Sequence, residues 1–345
     1  RTFGARRKIE SGIKAAWNAV LVADMRRLSI LLVLGASVPS LADNVLSVHP
    51  DNPRYFADGS GSAIYLGGHQ IFVDLQDNSF NKPFIRNNEK TLDWNKYLDF
   101  LKQYNLNYLR NWVIWSTGSG SMAPLNNAIA SPMPYKRVEG RGKANDGADK
   151  FDLRRFDDGF FRRMRQRCGD LQDRGVYVSI MLFEVYGFLD GEASGDPKQT
   201  LWDGNVFNKA NNVNGIHVDY DADGLGIEFF YTDEAQILKL QEDYIRKVID
   251  AVNDLDNVIF EIANELYAPQ WQRRMLEFIK NYERTKPKQH LVMISGGGRT
   301  ISGSWRLIEK NQVIDSPADC FAVSGGWDSG RYTQKNPPAN DSGKP

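Results

Sequence analysis

The sequence predicts a parallel α/β fold, an incomplete (β/α)₈ barrel with about six strands and an N-terminal β-hairpin. Strand-like and helix-like segments alternate along the chain, and such alternation builds a parallel sheet covered by helices. Two strand-to-helix connections are long, at about residues 114–151 and 184–231, whereas the return loops have roughly two to five residues. This asymmetry is typical of the two ends of a barrel. The chain has 345 residues, of which 41% are hydrophobic, so it can bury a large core.

A doubly wound open sheet is the alternative α/β architecture. That fold carries a glycine-rich phosphate-binding turn after its first strand. Gly67 and Gly68 follow the first predicted strand here, but no spaced third glycine accompanies them. The barrel is therefore the preferred prediction.

Apolar runs predict the barrel strands. Their starts lie near residues 64, 107, 176, 257, 290 and 320. The run over residues 176–183 is almost continuously apolar, as expected for a strand that is buried on both faces. Residues 54–57 and 63–66 flank a turn at residues 58–61, whose glycines permit a hairpin. The second strand of this hairpin is also counted as the first barrel strand.

Apolar residues that recur every three or four positions predict the helices. The clearest helix begins near Asp157, places Phe160, Met164 and Cys168 on one face, and ends near Gly175. The other predicted helices are one that Thr91 caps, a long one over residues 232–255, one that Pro269 opens and Pro287 closes, and a short one over residues 305–310.

The N-terminal 42 residues are predicted to lie outside this fold. Two arginines after Met25, a short apolar run and the sequence Ser40-Leu41-Ala42 are typical of a secretory signal peptide over residues 25–42. The run is too short for a membrane span, which needs roughly 20 apolar residues. Residues 1–24 then form an upstream non-domain segment, for which a basic amphipathic helix over residues 9–21 is the alternative. We therefore expect a secreted or periplasmic protein.

The barrel is expected to be unfinished, because this fold has eight strands and six are counted. The tail from Gly325 onward is rich in glycine, proline, asparagine and serine, as is typical of a loop. Residues 43–345 are therefore predicted to be a barrel that is truncated before its seventh strand. The truncated chain by itself is expected to be inactive and monomeric.

Composition excludes several functional classes. The 43 Lys and Arg residues balance 43 Asp and Glu residues, which argues against nucleic acid as a partner. The two cysteines, Cys168 and Cys320, can form neither a disulfide scaffold nor a zinc ribbon. The four histidines have no paired spacing, which speaks against a metal-dependent barrel enzyme of unrelated chemistry.

The residues that predict chemistry surround Glu265. The predicted buried strand over residues 258–263 ends in Asn264 and Glu265, and burying such polar groups is costly unless they are hydrogen-bonded or functional. Active sites of barrels lie at the C-terminal ends of the strands, where a carboxyl group could protonate a leaving oxygen. Alternatively, Glu265 could simply cap the helix that Pro269 begins.

This pattern resembles the clan of retaining (β/α)₈ glycoside hydrolases that includes cellulases, β-mannanases and β-galactosidases. The matching residues are Asn264-Glu265 after a strand, with Glu261 four residues before Glu265, and the second-strand segment over residues 108–111. Residues 54–69 further resemble a group of secreted bacterial cellulase-like proteins. The likeness extends over roughly residues 53–345 of the chain.

The resemblance implies roles for three residues. Glu265 would be the acid/base, Asn264 would bond the sugar 2-hydroxyl, and Arg110 would orient the nucleophile. That nucleophile would be a glutamate, or an aspartate, on a seventh strand beyond residue 345. Retaining hydrolysis of an O-glycosidic bond requires the two carboxyl groups to lie about 5–5.5 Å apart. The resemblance implies a poly- or oligosaccharide substrate and no cofactor.

Further residues near strand ends are candidate substrate contacts, since a cleft combines a few polar groups with aromatic rings. The polar candidates are His69, Asn111 and Glu184, although His69 could equally be a structural histidine and Glu184 a loop anchor. The aromatic candidates, each of which could instead belong to the core, are Trp112, Trp115, Tyr186, Trp202, Tyr267 and Trp327.

An acidic segment resembles the first half of a calcium-binding loop, in which alternate aspartates face one ion and a glycine makes the turn. The aspartates are Asp219, Asp221 and Asp223. Gly224 follows them, but the twelfth position is Phe230 rather than a glutamate, and Glu228 or Asp233 would have to substitute. We expect weak calcium binding at most, with an acidic solvated turn as the alternative.

Together these observations predict a secreted, retaining glycosidase whose partner is a carbohydrate, without nucleic acid and without a membrane after signal cleavage. A non-catalytic carbohydrate-binding barrel is the alternative function. A seventh strand that lacks a carboxylate would favour that alternative.

Overall fold

The computed structural model describes residues 45–71, 74–77, 92–117, 130–189, 201–302, 304–307 and 316–322. The predicted upstream segment and signal peptide, the cap Thr91 and the aromatic candidate Trp327 lie outside the described residues. Among the described helices, none combines the length and the apolar character that a membrane span requires.

The described chain contains thirteen strands and four α-helices. The strands are β1 (Ser47–Val48), β2 (Phe56–Ala57), β3 (Ala63–Ile64), β4 (Gly68–Ile71), β5 (Tyr108–Trp112), β6 (Tyr135–Arg137), β7 (Phe151–Phe156), β8 (Tyr177–Glu184), β9 (Val258–Asn264), β10 (Leu291–Ser295), β11 (Gly297–Arg299), β12 (Trp305–Leu307) and β13 (Cys320–Ala322). The helices are α1 (Trp94–Gln103), α2 (Asp158–Gln172), α3 (Ala235–Val252) and α4 (Pro269–Glu283).

Six of these strands form one parallel sheet in the order β4-β5-β8-β9-β10-β13. The spatial order equals the order along the chain, and α1 to α4 lie in the four successive connections from β4 to β10. Strands that follow one another in this way, each joined by a helix, are the repeating units of a (β/α)₈ barrel. The predicted fold class and the count of six barrel strands are therefore confirmed.

The N-terminal hairpin is confirmed as part of a small antiparallel sheet, β1-β2-β3. Leu46 of this region packs against Tyr177, Ile259 and Leu291 in an apolar cluster of its own. These three residues lie at the starts of β8, β9 and β10. The small sheet therefore covers the N-terminal end of the barrel, and the opposite end carries the polar residues described below.

Two predicted elements are wrong. Ile64 pairs with Phe56 in the small antiparallel sheet, and the first barrel strand begins only at Gly68. A Cβ at Gly68 would overlap the carbonyl oxygen of Tyr108, so the glycine permits the close pairing of β4 with β5.

The predicted short helix from Trp305 begins instead as β12, which pairs antiparallel with β11. So few residues do not nucleate a helix, whereas β11 offers them backbone partners.

The outer face of the sheet packs against the helices. Phe160, Met164 and Cys168 of α2 are fully buried, as their spacing predicts. Asp157 caps α2 by accepting hydrogen bonds from the backbone N–H groups of Gly159 and Phe160. An N-cap of this kind typically contributes about 1 kcal/mol to helix stability.

Aromatic side chains around Trp115 form a cluster within the core. The ring of Trp115 is fully buried and lies 4.8 Å from the ring of Tyr244 and 5.5 Å from that of Phe183, between centroids. Phe183 also meets Trp271 of α4 edge to face at 5.4 Å. Edge-to-face and offset pairs at these distances stabilise a core beyond their buried area.

Candidate active site

Arg110 on β5 connects its own strand to β4, its neighbour, and to β9, which lies beyond β8 in the sheet. Its Nε donates to Oε2 of Glu261 on β9 at 2.7 Å, and its Nη2 pairs with the other oxygen of the same carboxylate. Nη1 donates to Oε1 of Gln70 on β4 at 3.2 Å, and Nη2 also donates to Oδ1 of Asn264 at 2.9 Å. The side chains of β4, β5 and β9 are therefore held together by one guanidinium group.

The Arg110–Glu261 pair is a buried ion pair. Glu261 is fully buried and the side chain of Arg110 is 20% exposed. Burial alone would lower the pKa of Arg110, but the Glu261 carboxylate raises it above its ordinary value. The two-pronged geometry matches an arginine to a carboxylate, and such geometry is what offsets the cost of taking both charges out of water.

The hydrogen bond from Arg110 determines the orientation of the Asn264 amide, because the amide oxygen must face the guanidinium group. The residue is buried. Its Oδ1 accepts from Arg110, while its Nδ2 has no hydrogen-bond partner among the described residues. The two N–H groups on this nitrogen therefore remain as hydrogen-bond donors. An amide nitrogen can only donate, so a ligand group at this position must be an acceptor.

Glu265 has an unusual backbone conformation, with φ at +50°. The left-handed region is costly for a residue with a Cβ, and such strain is often stored at functional sites. The backbone N–H of Arg299 donates to the carbonyl oxygen of Glu265 at 2.8 Å, and the N–H of Tyr267 donates back to Arg299 at 2.9 Å. The β11–β12 hairpin thus holds the turn that aims Glu265.

The Glu265 carboxyl group is half-buried, and its Oε2 accepts a hydrogen bond from the hydroxyl of Tyr186. Tyr186 begins a short 3₁₀ helix, Tyr186–Phe188, directly after β8. Burial, together with the Glu265 carboxylate, raises the pKa of Tyr186, so the hydroxyl keeps its proton and donates. The sequence predicts Tyr186 only as an aromatic contact, because the bond to Glu265 depends on two different loops.

The close approach of the β11–β12 hairpin depends on Gly298. A Cβ at this position would overlap the carbonyl carbon and oxygen of Glu265. The three glycines before Arg299 have no spacing that predicts this role from the sequence. The structure therefore assigns Gly298 to the support of the candidate site.

Two further predicted contacts lie beside this cluster. The ring of Trp112 is 5.4 Å from the guanidinium carbon of Arg110, a distance at which a cation–π interaction forms. Tyr267 is half-buried two residues after Glu265, and its carbonyl oxygen accepts from the hydroxyl of Tyr231. Tyr231 and Gln70 were not predicted as site residues. Gln70 can be recognised as a site residue only when the bounds of β4 are known, because it then pairs in register with Arg110.

Other predicted contacts point away from this cluster. The Nδ1 atom of His69 lies 2.8 Å from the hydroxyl of Tyr97 on α1, and burial lowers the pKa of His69. Asn111 is fully buried, with its Nδ2 4.0 Å from Sγ of Cys168 on α2. Both side chains therefore face helices, because residues alternate between the two faces of a strand.

Trp115 and Trp202, which are buried deeper than Trp112, belong to the core. Trp115 belongs to the aromatic cluster described above, and its Nε1 donates to the carbonyl oxygen of Leu182 at 3.2 Å. Trp202 is buried beside Phe188, with a centroid distance of 6.0 Å. Neither ring presents a face that a sugar could reach in this structure.

Glu184, at the end of β8, anchors the loop that carries Tyr186. Its carboxylate is buried and accepts from the backbone N–H groups of Gly187 at 2.8 Å and Trp115 at 3.4 Å. Burial raises the pKa of Glu184 to about 7. This geometry agrees with the alternative role considered for Glu184, a loop anchor.

The three aspartates of the predicted calcium loop are brought together. One carboxylate oxygen from each of Asp219, Asp221 and Asp223 lies within 4.8 Å of the others. This group lies between β8 and α3 and shares no residue with the Glu265 cluster.

One protein family matches the chain, over residues 130–300, and it is described as a domain of unknown function (DUF6298). No curated protein matches the chain.

Solved structures of glycoside hydrolases resemble the chain. A variant of a glycoside hydrolase family 5 mannosidase from Rhizomucor miehei, in complex with mannosyl-fructose, has a TM-score of 0.50 and 14% identity over 89% of this chain and 72% of that chain. The endo-glycoceramidase II from a Rhodococcus species has a TM-score of 0.43 and 14% identity, over 72% of this chain and 53% of that chain.

A glycoside hydrolase family 5 protein from Bacteroides vulgatus has a TM-score of 0.41 and 12% identity over 74% of this chain. The chain spans 40% of the length of that protein and 39% of the length of a second protein from the same species. The likeness to the mannosidase shows that the described strands and helices share the (β/α)₈ fold of that enzyme.

The close contact at Gly298 yields a prediction about stability. We expect Gly298→Ala to reduce the free energy of unfolding by about 3 kcal/mol or more, since an added methyl group must push β11 away from Glu265. Gly215→Ala is the matched control, because Gly215 also has a positive φ, +69°, but nothing lies within 4 Å of its Cβ position. That control should cost only about 1–2 kcal/mol of left-handed strain. Equal costs in urea denaturation would contradict the steric role of Gly298.

The buried carboxyl of Glu184 yields a prediction about pH. Its pKa is raised to about 7 in the folded protein and lies near 4.3 in the unfolded chain. Between these values the unfolded state releases the proton first, so stability falls as pH rises, by up to about 1.4 kcal/mol per pH unit. The loss levels off about one pH unit above the folded-state pKa.

Glu184→Gln removes this titration. Relative to the wild type, we expect the variant to gain stability steadily between about pH 4.5 and 7, as measured by urea denaturation at each pH. Glu139→Gln, at an exposed residue, is the control and should not reproduce the trend. A stability difference between Glu184→Gln and the wild type that stays constant with pH would show that Glu184 is not the buried anchor described here.

Proposed function

We propose that the protein hydrolyses O-glycosidic bonds in a poly- or oligosaccharide by the retaining two-carboxylate mechanism. One observation carries the proposal. Asn264 and Glu265 are consecutive residues at the C-terminal end of a barrel strand, and separate partners hold the amide of the first and the carboxyl group of the second. The fold that the chain shares with a family 5 mannosidase supports the same conclusion.

Glu265 is the proposed acid/base. In the first step its carboxyl group would donate a proton to the glycosidic oxygen as the bond to the leaving group breaks. In the second step the carboxylate would take a proton from the water that attacks the glycosyl-enzyme. The Tyr186 hydroxyl binds Oε2, so Oε1 is the oxygen that remains for the substrate.

Asn264 is the proposed partner of the sugar 2-hydroxyl. Arg110 occupies its Oδ1, and the two N–H groups on Nδ2 are therefore the part of the amide that can meet a hydroxyl oxygen. Hydrogen bonds to the 2-hydroxyl strengthen in the transition state of glycoside hydrolysis and contribute several kcal/mol. Asn264 would therefore contribute both to substrate binding and to the rate of hydrolysis.

The nucleophile is proposed to lie outside the described residues. Near Glu265, the described carboxylates are already engaged: Glu261 binds Arg110, and Glu184 accepts from two backbone N–H groups. An eight-stranded barrel places a seventh strand after β13, on the open side of the cleft. A carboxylate there would face the Arg110 guanidinium, which stabilises the ionised form that attacks the anomeric carbon.

The aromatic residues beside Glu265 indicate the class of substrate. Two half-buried aromatic residues, Tyr186 and Tyr267, flank Glu265 and supply apolar faces for a pyranose ring. Export through the predicted signal peptide over residues 25–42 belongs to this proposal, since polymeric carbohydrates are met outside the cell.

The test uses Glu265→Gln in a protein that includes the proposed seventh strand. The change keeps the shape and removes the transferable proton, so we expect a loss of about 10²–10⁴-fold on ordinary glycosides. A dinitrophenyl glycoside needs little protonation, so its glycosylation step should survive while the second step slows. A glycosyl-enzyme should then accumulate in the mass spectrum, and added azide should restore turnover.

Glu139→Gln is the matched control, because it makes the same chemical change at an exposed residue. Its rates should equal those of the wild type on both substrates. If Glu265→Gln also leaves both rates unchanged, Glu265 is not the acid/base. A wild-type protein that binds oligosaccharides but cleaves none would favour the non-catalytic carbohydrate-binding barrel.

A further inference from the structure

We propose that residues 219–228 form a calcium-binding site whose ligands are Asp219, Asp221, Asp223 and Glu228. The site lies in the connection between β8 and α3, away from Arg110 and Glu265. The inference does not depend on the proposed glycosidase function.

The first observation is the distance between the aspartate side chains. One carboxylate oxygen from each lies within 4.8 Å of the others. Calcium binds oxygen ligands at 2.3–2.6 Å, so two ligands on opposite sides of one ion are about 5 Å apart. The three oxygens can therefore contact a single calcium ion with little change of the backbone.

The second observation is the buried carboxylate of Glu228, which belongs to the 3₁₀ helix Ile227–Phe230. Glu228 is only 8% exposed. Its Oε1 accepts from the backbone N–H of Tyr220 at 3.2 Å, so the carboxylate faces the acidic loop between Asp219 and Asp221. Its Oε2 is buried and has no hydrogen-bond partner among the described residues.

Asp219 also has a buried carboxylate oxygen, Oδ1, without a hydrogen-bond partner in the described part of the chain. Its other oxygen, Oδ2, accepts from the backbone N–H of Gly224 at 3.2 Å. Burying a carboxylate oxygen without a donor or a cation is costly. A bound cation at this position would satisfy both Asp219 and Glu228.

The third observation concerns charge. Within the described ranges, none of the four carboxylates forms a salt bridge with a lysine, arginine or histidine. Asp233, the nearby residue that the sequence offers as a substitute ligand, is instead paired with Arg274. The three aspartate carboxylates, whose oxygens lie within 4.8 Å of one another, repel each other, and a divalent cation offsets that repulsion.

The chemistry of these ligands selects calcium. All are carboxylates, the hard oxygen donors that calcium prefers, whereas magnesium demands a near-ideal octahedral arrangement. The site departs from the twelve-residue pattern because its last carboxylate comes from the tenth position. We therefore expect a dissociation constant in the range of extracellular modules, about 10⁻⁴–10⁻³ M.

Calcium at this site would stabilise the segment that reaches the Glu265 loop. The backbone N–H of Tyr231 donates to the carbonyl oxygen of Glu228 at 2.8 Å. The hydroxyl of Tyr231 donates to the carbonyl oxygen of Tyr267, two residues beyond Glu265. The ion would thereby restrain one side of the candidate cleft.

The test measures calcium binding to the whole chain after treatment with a chelator. Isothermal titration should give a dissociation constant of about 10⁻⁴–10⁻³ M, and Tm should rise when about 10 mM calcium is present. Terbium bound in the loop should emit light when Tyr220 is excited. Asp221→Asn and Glu228→Gln should each weaken binding at least tenfold and reduce the terbium signal.

Asp233→Asn is the matched control, because it removes a charge from the same segment outside the proposed site and should leave binding unchanged. Circular dichroism confirms folding before each titration, and Asp223→Asn, at an exposed residue, serves if Glu228→Gln does not fold. The proposal is overturned if the wild type shows neither heat of binding nor a shift of Tm at 10 mM calcium. It is also overturned if Asp233→Asn weakens binding as much as Asp221→Asn does.

Discussion

The guanidinium group of Arg110 is the contact on which the polar end of this barrel depends. It binds both oxygens of the buried Glu261 carboxylate and also reaches Gln70 and Asn264. Without Arg110, β9 would carry an unpaired charge inside the barrel, which typically costs 3–5 kcal/mol. The same contact turns the Asn264 amide, so the pair that stabilises the sheet also determines which donors the candidate site offers.

Most of the fold could be predicted from the sequence because burial imposes simple patterns on it. The segments that form β8 and β9 are mostly apolar and buried on both faces, and the apolar residues of α2 around Met164 recur at helical spacing. The errors occur where a few residues are decided by distant partners. Ile64 and Trp305 form strands because β2 and β11 lie beside them. The local sequence does not predict such pairing partners.

The candidate site could be predicted only in part. Asn264 and Glu265 stand out because polar residues at the end of a buried strand are costly unless they have partners. The sequence does not show on which face of a strand a residue lies when the strand boundaries are uncertain. Shifting the register by one residue reverses the face, and this is why Asn111 and His69 could not be separated from Arg110 and Gln70.

A double-mutant cycle on Arg110 and Glu261 tests the account most directly, because it measures the contact that joins β5 to β9. We expect Arg110→Met and Glu261→Leu each to lower the free energy of unfolding by about 3–5 kcal/mol, since each leaves its buried partner unpaired. The double variant leaves no unpaired charge, so its loss should be smaller than the sum of the single losses by at least about 2 kcal/mol. Losses that add to within about 0.5 kcal/mol would contradict the central role of this contact.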